Sequence, residues 1–213
     1  MLNIHTVRCN ELQENCYIVW DETNEAVIID PGMRYANEKE AVKKFINDNN
    51  LTLKHMLNTH LHFDHSWGIS FINHEFGLKP EAHGGDIDIY QRLDQQVAMF
   101  MGDESHEEIV PLGRCLNEGD TVTFGSHTFG IIETPGHTNG GICFYCEAEK
   151  VLFTGDSLFR MSIGRTDFPG GSYEALSRAL KTKIMTLPDD VTAYPGHGPE
   201  TNIGEEKLMN PYI

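Results

Sequence analysis

Residues 60–65 read His-Leu-His-Phe-Asp-His, and no other stretch constrains the chain so tightly. Three imidazoles and a carboxylate crowded into six positions burden a fold unless a cation compensates them. Neutral imidazoles suit zinc and iron, and a carboxylate adds the negative charge that a dication needs. His60 and His62 are two apart, so an extended segment points them to one side, while Asp64 and His65 turn onto a neighbouring face. One segment can therefore feed two adjacent metal ions. A surface loop merely rich in histidine would have no matching residues downstream.

This chain has them. Thr134-Pro135-Gly136-His137-Thr138 places a histidine at a tight turn after a strand-like run ending near Glu133. Thr154-Gly155-Asp156-Ser157 presents a carboxylate just after Val151 to Phe153, and Tyr194-Pro195-Gly196-His197-Gly198 repeats the strand, Pro-Gly, His order. Each time a strand ends, glycine frees the backbone, and a ligand-type side chain stands at a rigid edge. A lone Gly-His is usually a turn with a solvated imidazole, but four such strand ends in one chain are hard to obtain by chance.

The length of 213 residues allows one sizeable core, so residues 1–213 are expected to form a single domain. A formal net charge of −16 argues against a nucleic-acid track and against docking on an anionic membrane. Two bound divalent ions would offset about four of those charges locally. Cys143 and Cys146 form a C-x-x-C pair within the strand-like run Ile142 to Cys146. Positions three apart on a strand face opposite ways, so these thiols are expected to be structural and buried. The first residues lack a basic start and an apolar signal core, and no apolar run approaches a membrane span, which makes a reducing cytoplasm the expected location.

Strands are expected at Ile4 to Arg8, Cys16 to Trp20, Ala26 to Asp30 and His55 to Leu57, with a helix from about Glu38 to Asn47 between the last two. Residues Trp67 to Phe76 should be helical behind the cluster. A polar, mostly helical stretch from about 84 to 110 carries Met99, Phe100 and Met101, and is expected to be an insertion or lid. Strands then return at Thr121 to Phe124, His127 to Glu133, Ile142 to Cys146 and Lys150 to Phe153. A helix from about Ser172 to Met185 and a strand from Val191 to Tyr194 follow. Two batches of strands, each followed by a helix, suggest two packed sheets with helices outside. His5, His55, His74, His83, His106 and His127 lack partners at ligand spacing and read as structural or exposed, with His83 the one expected to edge a pocket.

The pattern His60-x-His62-x-Asp64-His65, then His137, Asp156 and His197, resembles the metallo-β-lactamase superfamily. The resemblance covers nearly the whole chain and implies an α/β fold, an αββα sandwich of two mixed sheets with the metals at one edge. It implies that His60, His62 and His137 hold a first metal, that Asp64, His65 and His197 hold a second, and that Asp156 bridges them. The expected cofactors are two divalent ions, zinc first, with iron or manganese as alternatives. β-Lactamases of this fold usually depart from the intact Asp64-His65 pattern, so the resemblance does not extend to antibiotic hydrolysis. The stretch Gly155-Asp156-Ser157-Leu158-Phe159, Ser162 through Gly171, and Gly196-His197-Gly198-Pro199-Glu200-Thr201 are similar to glyoxalase II-type hydroxyacylglutathione hydrolases, and most to their short bacterial branch. Two-domain enzymes of that type carry a basic C-terminal helical domain that grips glutathione, which is not expected here. Where they have Lys and Tyr after the glycine, this chain has Arg165 and Asp167.

Two metals sharing a hydroxide supply a nucleophile near neutral pH and polarise a carbonyl. The expected activity is thus hydrolysis of a small-molecule thioester such as S-D-lactoylglutathione. Asp64 is the expected proton-handling group, and Arg165 is a candidate fork for a substrate carboxylate or else a structural partner of Asp167. Persulfide dioxygenases share the fold and a Gly-Arg-Thr-Asp-Phe stretch similar to Gly164 to Phe168, but Pro169-Gly170-Gly171 favours the hydrolase. A lactonase is chemically easy for such a site, whereas a nucleic-acid hydrolase fits the acidic charge poorly.

Overall fold

The computed structural model describes residues 1–104 and 107–213, so the expectation for His106 lies outside the described residues. Strands β1 (Asn3–Cys9), β2 (Glu14–Trp20) and β3 (Glu25–Ile29) form an antiparallel meander. Helix α1 (Ala36–Asp48) carries the chain back to β4 (Thr52–Leu57), parallel to β3. After helices α2 (Phe63–Ser66) and α3 (Ile69–Phe76) comes β5 (Pro80–Ala82), then α4 (Ile87–Tyr90), α5 (Leu93–Met101) and β6 (Arg114–Cys115). These strands make one six-stranded sheet in the order β1-β2-β3-β4-β5-β6.

The second half repeats the plan. Strands β7 (Thr121–Phe124), β8 (His127–Glu133), β9 (Ile142–Cys146) and β10 (Val151–Gly155) run antiparallel. A small hairpin, β11 (Leu158–Phe159) with β12 (Ser162–Ile163), precedes helix α6 (Tyr173–Thr182). Strand β13 (Thr192–Pro195) lies parallel to β10, and β14 (Thr201–Asn202) and helix α7 (Ile203–Met209) follow. The second sheet has the order β14-β13-β10-β9-β8-β7.

Period-two alternation explains the layers. On β2 and β3, Tyr17, Val19, Val27 and Ile29 face the second sheet, where Phe129, Phe144 and Phe153 meet them. The alternate residues Ile18 and Ile28 face the other way, onto Val42 and Ile46 of α1 and Trp67, Ile69 and Ile72. On the second sheet Leu152 and Ala193 point outward to Leu176 and Leu180 of α6 and Ile203 of α7. The result is the αββα sandwich anticipated from the pattern, with two mixed sheets packed together and helices on both outer faces. Full burial of each such aliphatic or aromatic side chain stabilises the fold by about 1.5–3 kcal/mol. The C-x-x-C pair behaves as strand geometry requires, Cys143 packing in the α6 layer and Cys146 between the sheets, both buried.

Local differences have identifiable causes. The helix expected from Trp67 starts at Ile69 instead, because the Gly68 N–H bonds the Pro31 carbonyl at 2.7 Å and Gly68 becomes the N-cap. Helix α6 starts where Ser172 caps it, through a bond from the Ala175 N–H, but stops at Thr182 and gives way to a single tight turn over Ile184–Thr186. Strands β5, β6, β11, β12 and β14 span two or three residues, too short to show a period. Among the described residues, no helix is long and apolar enough to cross a membrane.

Candidate metal centre

Seven strand-end and loop residues converge at one edge between the sheets. β4 delivers His60 and His62. The single turn of α2 swings Asp64 and His65 onto the adjacent side, and His137, Asp156 and His197 follow the ends of β8, β10 and β13. His60, His62 and His137 place one ring nitrogen each within 4.8 Å of one another, and so do the ligand atoms of Asp64, His65 and His197. Asp156 lies between the two groups. Its Oδ1 is 3.5 Å from His65 Nε2, while its Oδ2 is 3.5 Å from His137 Nε2 and 3.8 Å from His197 Nε2.

Outer hydrogen bonds fix which ring nitrogens carry protons. His137 Nδ1–H donates to the Arg165 carbonyl at 2.8 Å, and His197 Nδ1–H donates to the Leu12 carbonyl at 3.1 Å. Thr59 gives its hydroxyl proton to Asp30 Oδ2 at 2.6 Å and so accepts from His60 Nδ1–H at 3.1 Å. His65 Nδ1–H donates to Asp30 Oδ2 at 3.1 Å. The opposite nitrogens are thereby left as lone pairs directed inward. His65 Nε2 and His197 Nε2 face each other at 3.3 Å, and His62 Nδ1 faces His137 Nε2 at 2.9 Å. His60 Nε2 and Asp156 Oδ1 are buried without any hydrogen-bond partner. Converging lone pairs, two orphaned acceptors and two carboxylates form a donor set that fits divalent cations, and among the described residues no lysine or arginine pairs with either carboxylate.

The electrostatics agree. Burial, reinforced by the surrounding rings, pushes His60 well below the usual histidine range and His62 down to about 3, so both stay neutral and able to ligate. Burial also opposes charge on His65, but Asp64, Asp156 and Asp30 outweigh it and lift the ring to about 10. Burial would raise Asp64 as well, yet His65 and His197 hold its carboxyl well below the usual range. This side of the site demands positive charge, which a cation supplies.

Asp30 was legible only as the end of a strand, in the sequence Asp30-Pro31-Gly32. It is buried, takes φ +50°, and its Oδ1 accepts the Thr59 N–H at 2.7 Å. Its oxygens are thus occupied by Thr59 and His65, so although Asp30, His60 and His65 also cluster, Asp30 is placed to orient candidate ligands of both groups rather than to seat a cation. Asp86 plays a similar part, accepting the Leu61 N–H at 3.1 Å, the Thr138 hydroxyl at 2.8 Å and the Gly140 N–H at 2.6 Å, and so ties the His60 and His137 segments together. Replacing Asp30 by Asn should lower metal affinity and activity about 10–100-fold, as loss of such an outer partner does. Metal titration followed by activity at saturating metal checks this, and unchanged affinity would refute the role.

A cavity of ≈ 630 Å³ opens over the candidate ligands. Its walls are largely apolar, including Phe63, Phe100, Phe159 and Phe168. Phe100 stacks on Phe63 with centroids 5.8 Å apart and meets Phe168 edge-on at 4.7 Å, which places the Met99–Met101 patch against the site. Arg165 lines the same cavity, forks onto Asp167 at 2.8 and 2.7 Å, and lies 3.8 Å over the Phe168 ring. His83 caps Gly85 and sits 3.4 Å from Glu133, away from these walls. His127 is locked between Asp21 and Glu149, each at 2.9 Å.

Comparison with known proteins agrees with this geometry. Residues 9–197 match the sequence profile described as the metallo-beta-lactamase superfamily. The chain is 37% identical over 213 residues to hydroxyacylglutathione hydrolase GloC of Haemophilus influenzae, covering 100% of this chain and 98% of that protein. The di-iron-bound form of TTHA1623 superposes with a TM-score of 0.87 at 34% identity, covering 98% of this chain and 100% of that one. BLEG-1, described as a B3 metallo-beta-lactamase, gives a TM-score of 0.84 at 31% identity, covering 100% and 99%.

Proposed function

Because the chain belongs to the metallo-β-lactamase superfamily, we propose that it is a dinuclear metal-dependent hydrolase of thioesters such as S-D-lactoylglutathione. The observation that carries this reading is the placement of one carboxylate, Asp156, between two complete three-residue ligand groups. In this reading His60, His62 and His137 would hold one ion, Asp64, His65 and His197 would hold the other, and Asp156 would contribute to both. Zinc suits the donors, and iron and manganese are also accepted by them. When bound, the ions supply a water deprotonated near neutral pH and a Lewis acid for the thioester carbonyl.

The chain's own groups do the rest. Asp64, held ionised by His65 and His197, would accept a hydrogen bond from the attacking water and so orient it and handle its proton. Phe63, Phe100 and Phe168 exclude bulk water and strengthen electrostatics within the cavity. The departing thiolate is stable enough to need no general acid. Arg165 exchanges Asp167 for a carboxylate of the substrate, as its planar fork permits. Similarity to GloC supports the thioester assignment.

Metal content per chain and S-D-lactoylglutathione hydrolysis, measured on one purified sample, test the proposal. Near two ions with thioester turnover is expected. One iron with oxygen uptake on glutathione persulfide and no thioester cleavage would replace the reading with a dioxygenase. Hydrolysis of a chromogenic β-lactam without thioester cleavage would replace it with the activity that the name of BLEG-1 carries.

A further inference from the structure

A second cavity, of ≈ 480 Å³, lies on the other side of the His197 loop. It shares a wall with the metal cavity: Phe159 and His197 line the metal side, and their successors Arg160 and Gly198 line this one. Asn15 forms part of the floor, its Nδ2 donating to the carbonyls of Pro195 and Gly198 at 3.0 and 2.9 Å. Tyr17 donates its hydroxyl to the Pro195 carbonyl at 2.6 Å.

Two arginines project here from opposite ends of the sequence, Arg8 on β1 and Arg160 at the turn of the β11–β12 hairpin. Acidic residues outnumber basic ones by 32 to 16, and most lysines and arginines hold a carboxylate. Among the described residues neither Arg8 nor Arg160 has one within ion-pair distance. Glu200 lines the same cavity yet pairs with neither. Two unneutralised guanidinia converging on one concavity, in a protein whose overall field repels anions, concentrate positive potential where it is otherwise absent. Each offers a planar fork suited to a carboxylate or phosphate.

We propose that Arg8 and Arg160 form an anion-binding subsite for the carboxylate or phosphate end of the substrate's leaving thiol. This rests on the thioester reading and deepens it. The acyl carbon sits at the metal cavity, and the thiol arm passes the Phe159–His197 wall into the second cavity. The subsite supplies anion recognition from the β1 edge of the first sheet and the β11–β12 hairpin.

The test compares S-D-lactoylglutathione, whose arm is anionic, with the lactoyl thioester of N-acetylcysteamine, whose arm is neutral. For Arg8→Gln and Arg160→Gln, KM for the anionic thioester should rise about tenfold each, the scale of one charge-assisted hydrogen bond at an open site. Its kcat should hold, as should both constants for the neutral thioester. Glu200→Gln should lower KM for the anionic thioester alone. Equal changes with both thioesters, or none with the anionic one, would overturn the subsite. If the parent protein cleaves neither thioester, the functional reading fails, and calorimetry with inorganic phosphate decides the anion site separately. Binding lost in the double variant would retain it, and no binding to the parent would remove it.

Discussion

Asp156→Ala should empty at least one metal position and reduce kcat/KM by more than about 10²–10³-fold, the scale set by losing one group that stabilises developing charge. Asp156 is the residue whose two oxygens reach toward both ligand groups, so no neighbouring side chain replaces it. The metal dependence of its effect on stability separates a ligand from a structural residue. Asp156 Oδ1 is buried with no hydrogen-bond partner, so without metal the carboxylate's desolvation is set against its attraction to the His65 and His137 rings, each 3.5 Å away. Excess metal should therefore raise the melting temperature of the parent by more than that of the variant, because only the parent gains the full linkage stabilisation. Metal analysis with paired thermal melts decides the matter. Full activity would sink the dinuclear assignment, and an equal rise with metal in parent and variant would make Asp156 structural.

Gly196→Ala should be nearly as damaging to activity, although it removes no functional group. A Cβ there would lie 2.4 Å from Asp156 Oδ1 and 2.6 Å from His65 Cε1, inside van der Waals contact of two proposed ligands. The backbone at Gly196 is not left-handed, so the effect is one of space rather than strain. Overpacking of this kind costs about 1–3 kcal/mol of stability, and the displaced ligands should reduce metal affinity and turnover about a hundredfold or more. Gly198→Ala supplies the control two residues away. It has no atom within 4 Å of the added methyl but a φ of +77°, so it should cost about 1 kcal/mol of backbone strain with metal content intact. Metal stoichiometry and melting temperature of the two variants, measured together, distinguish crowding from strain. Full metal loading in Gly196→Ala would show that the ligands tolerate the methyl.

The candidate ligands were legible because four fall within six consecutive positions and the other three each follow a strand end in a short run containing Gly, so local chemistry alone marked them. The layers were legible for a related reason: the alternation Tyr17, Val19 against Ile18, and Phe153 against Leu152, assigns faces directly. Asp30 was not, because an Asp-Pro-Gly at a strand end looks the same whether its carboxylate faces solvent or, as here, Thr59 and His65. Its role depends on partners 29 and 35 positions away, which no local pattern encodes. Asp86 escaped notice for the same reason, its partners lying up to 54 positions distant. Helix α7 was missed because its seven residues make only about two turns, too short to show a helical period. Arg8 and Arg160 were unremarkable in sequence, since nothing local shows that β1 and the β11–β12 turn meet.

The proposed ligands are split between the sheets. His60, His62, Asp64 and His65 hang from the first, and His137, Asp156 and His197 from the second, so neither group is complete on one sheet alone. The thickness of the packing between the sheets thus sets the tolerance of the centre. Tyr17 against Phe153, with centroids 5.1 Å apart, and Phe153 against Phe129 at 5.7 Å act as a spacer. The Tyr17 hydroxyl on Pro195 clamps that spacer to the strand that presents His197. Thinning the aromatic layer deep in the sandwich would register as a miscalibrated metal spacing before it registered as unfolding.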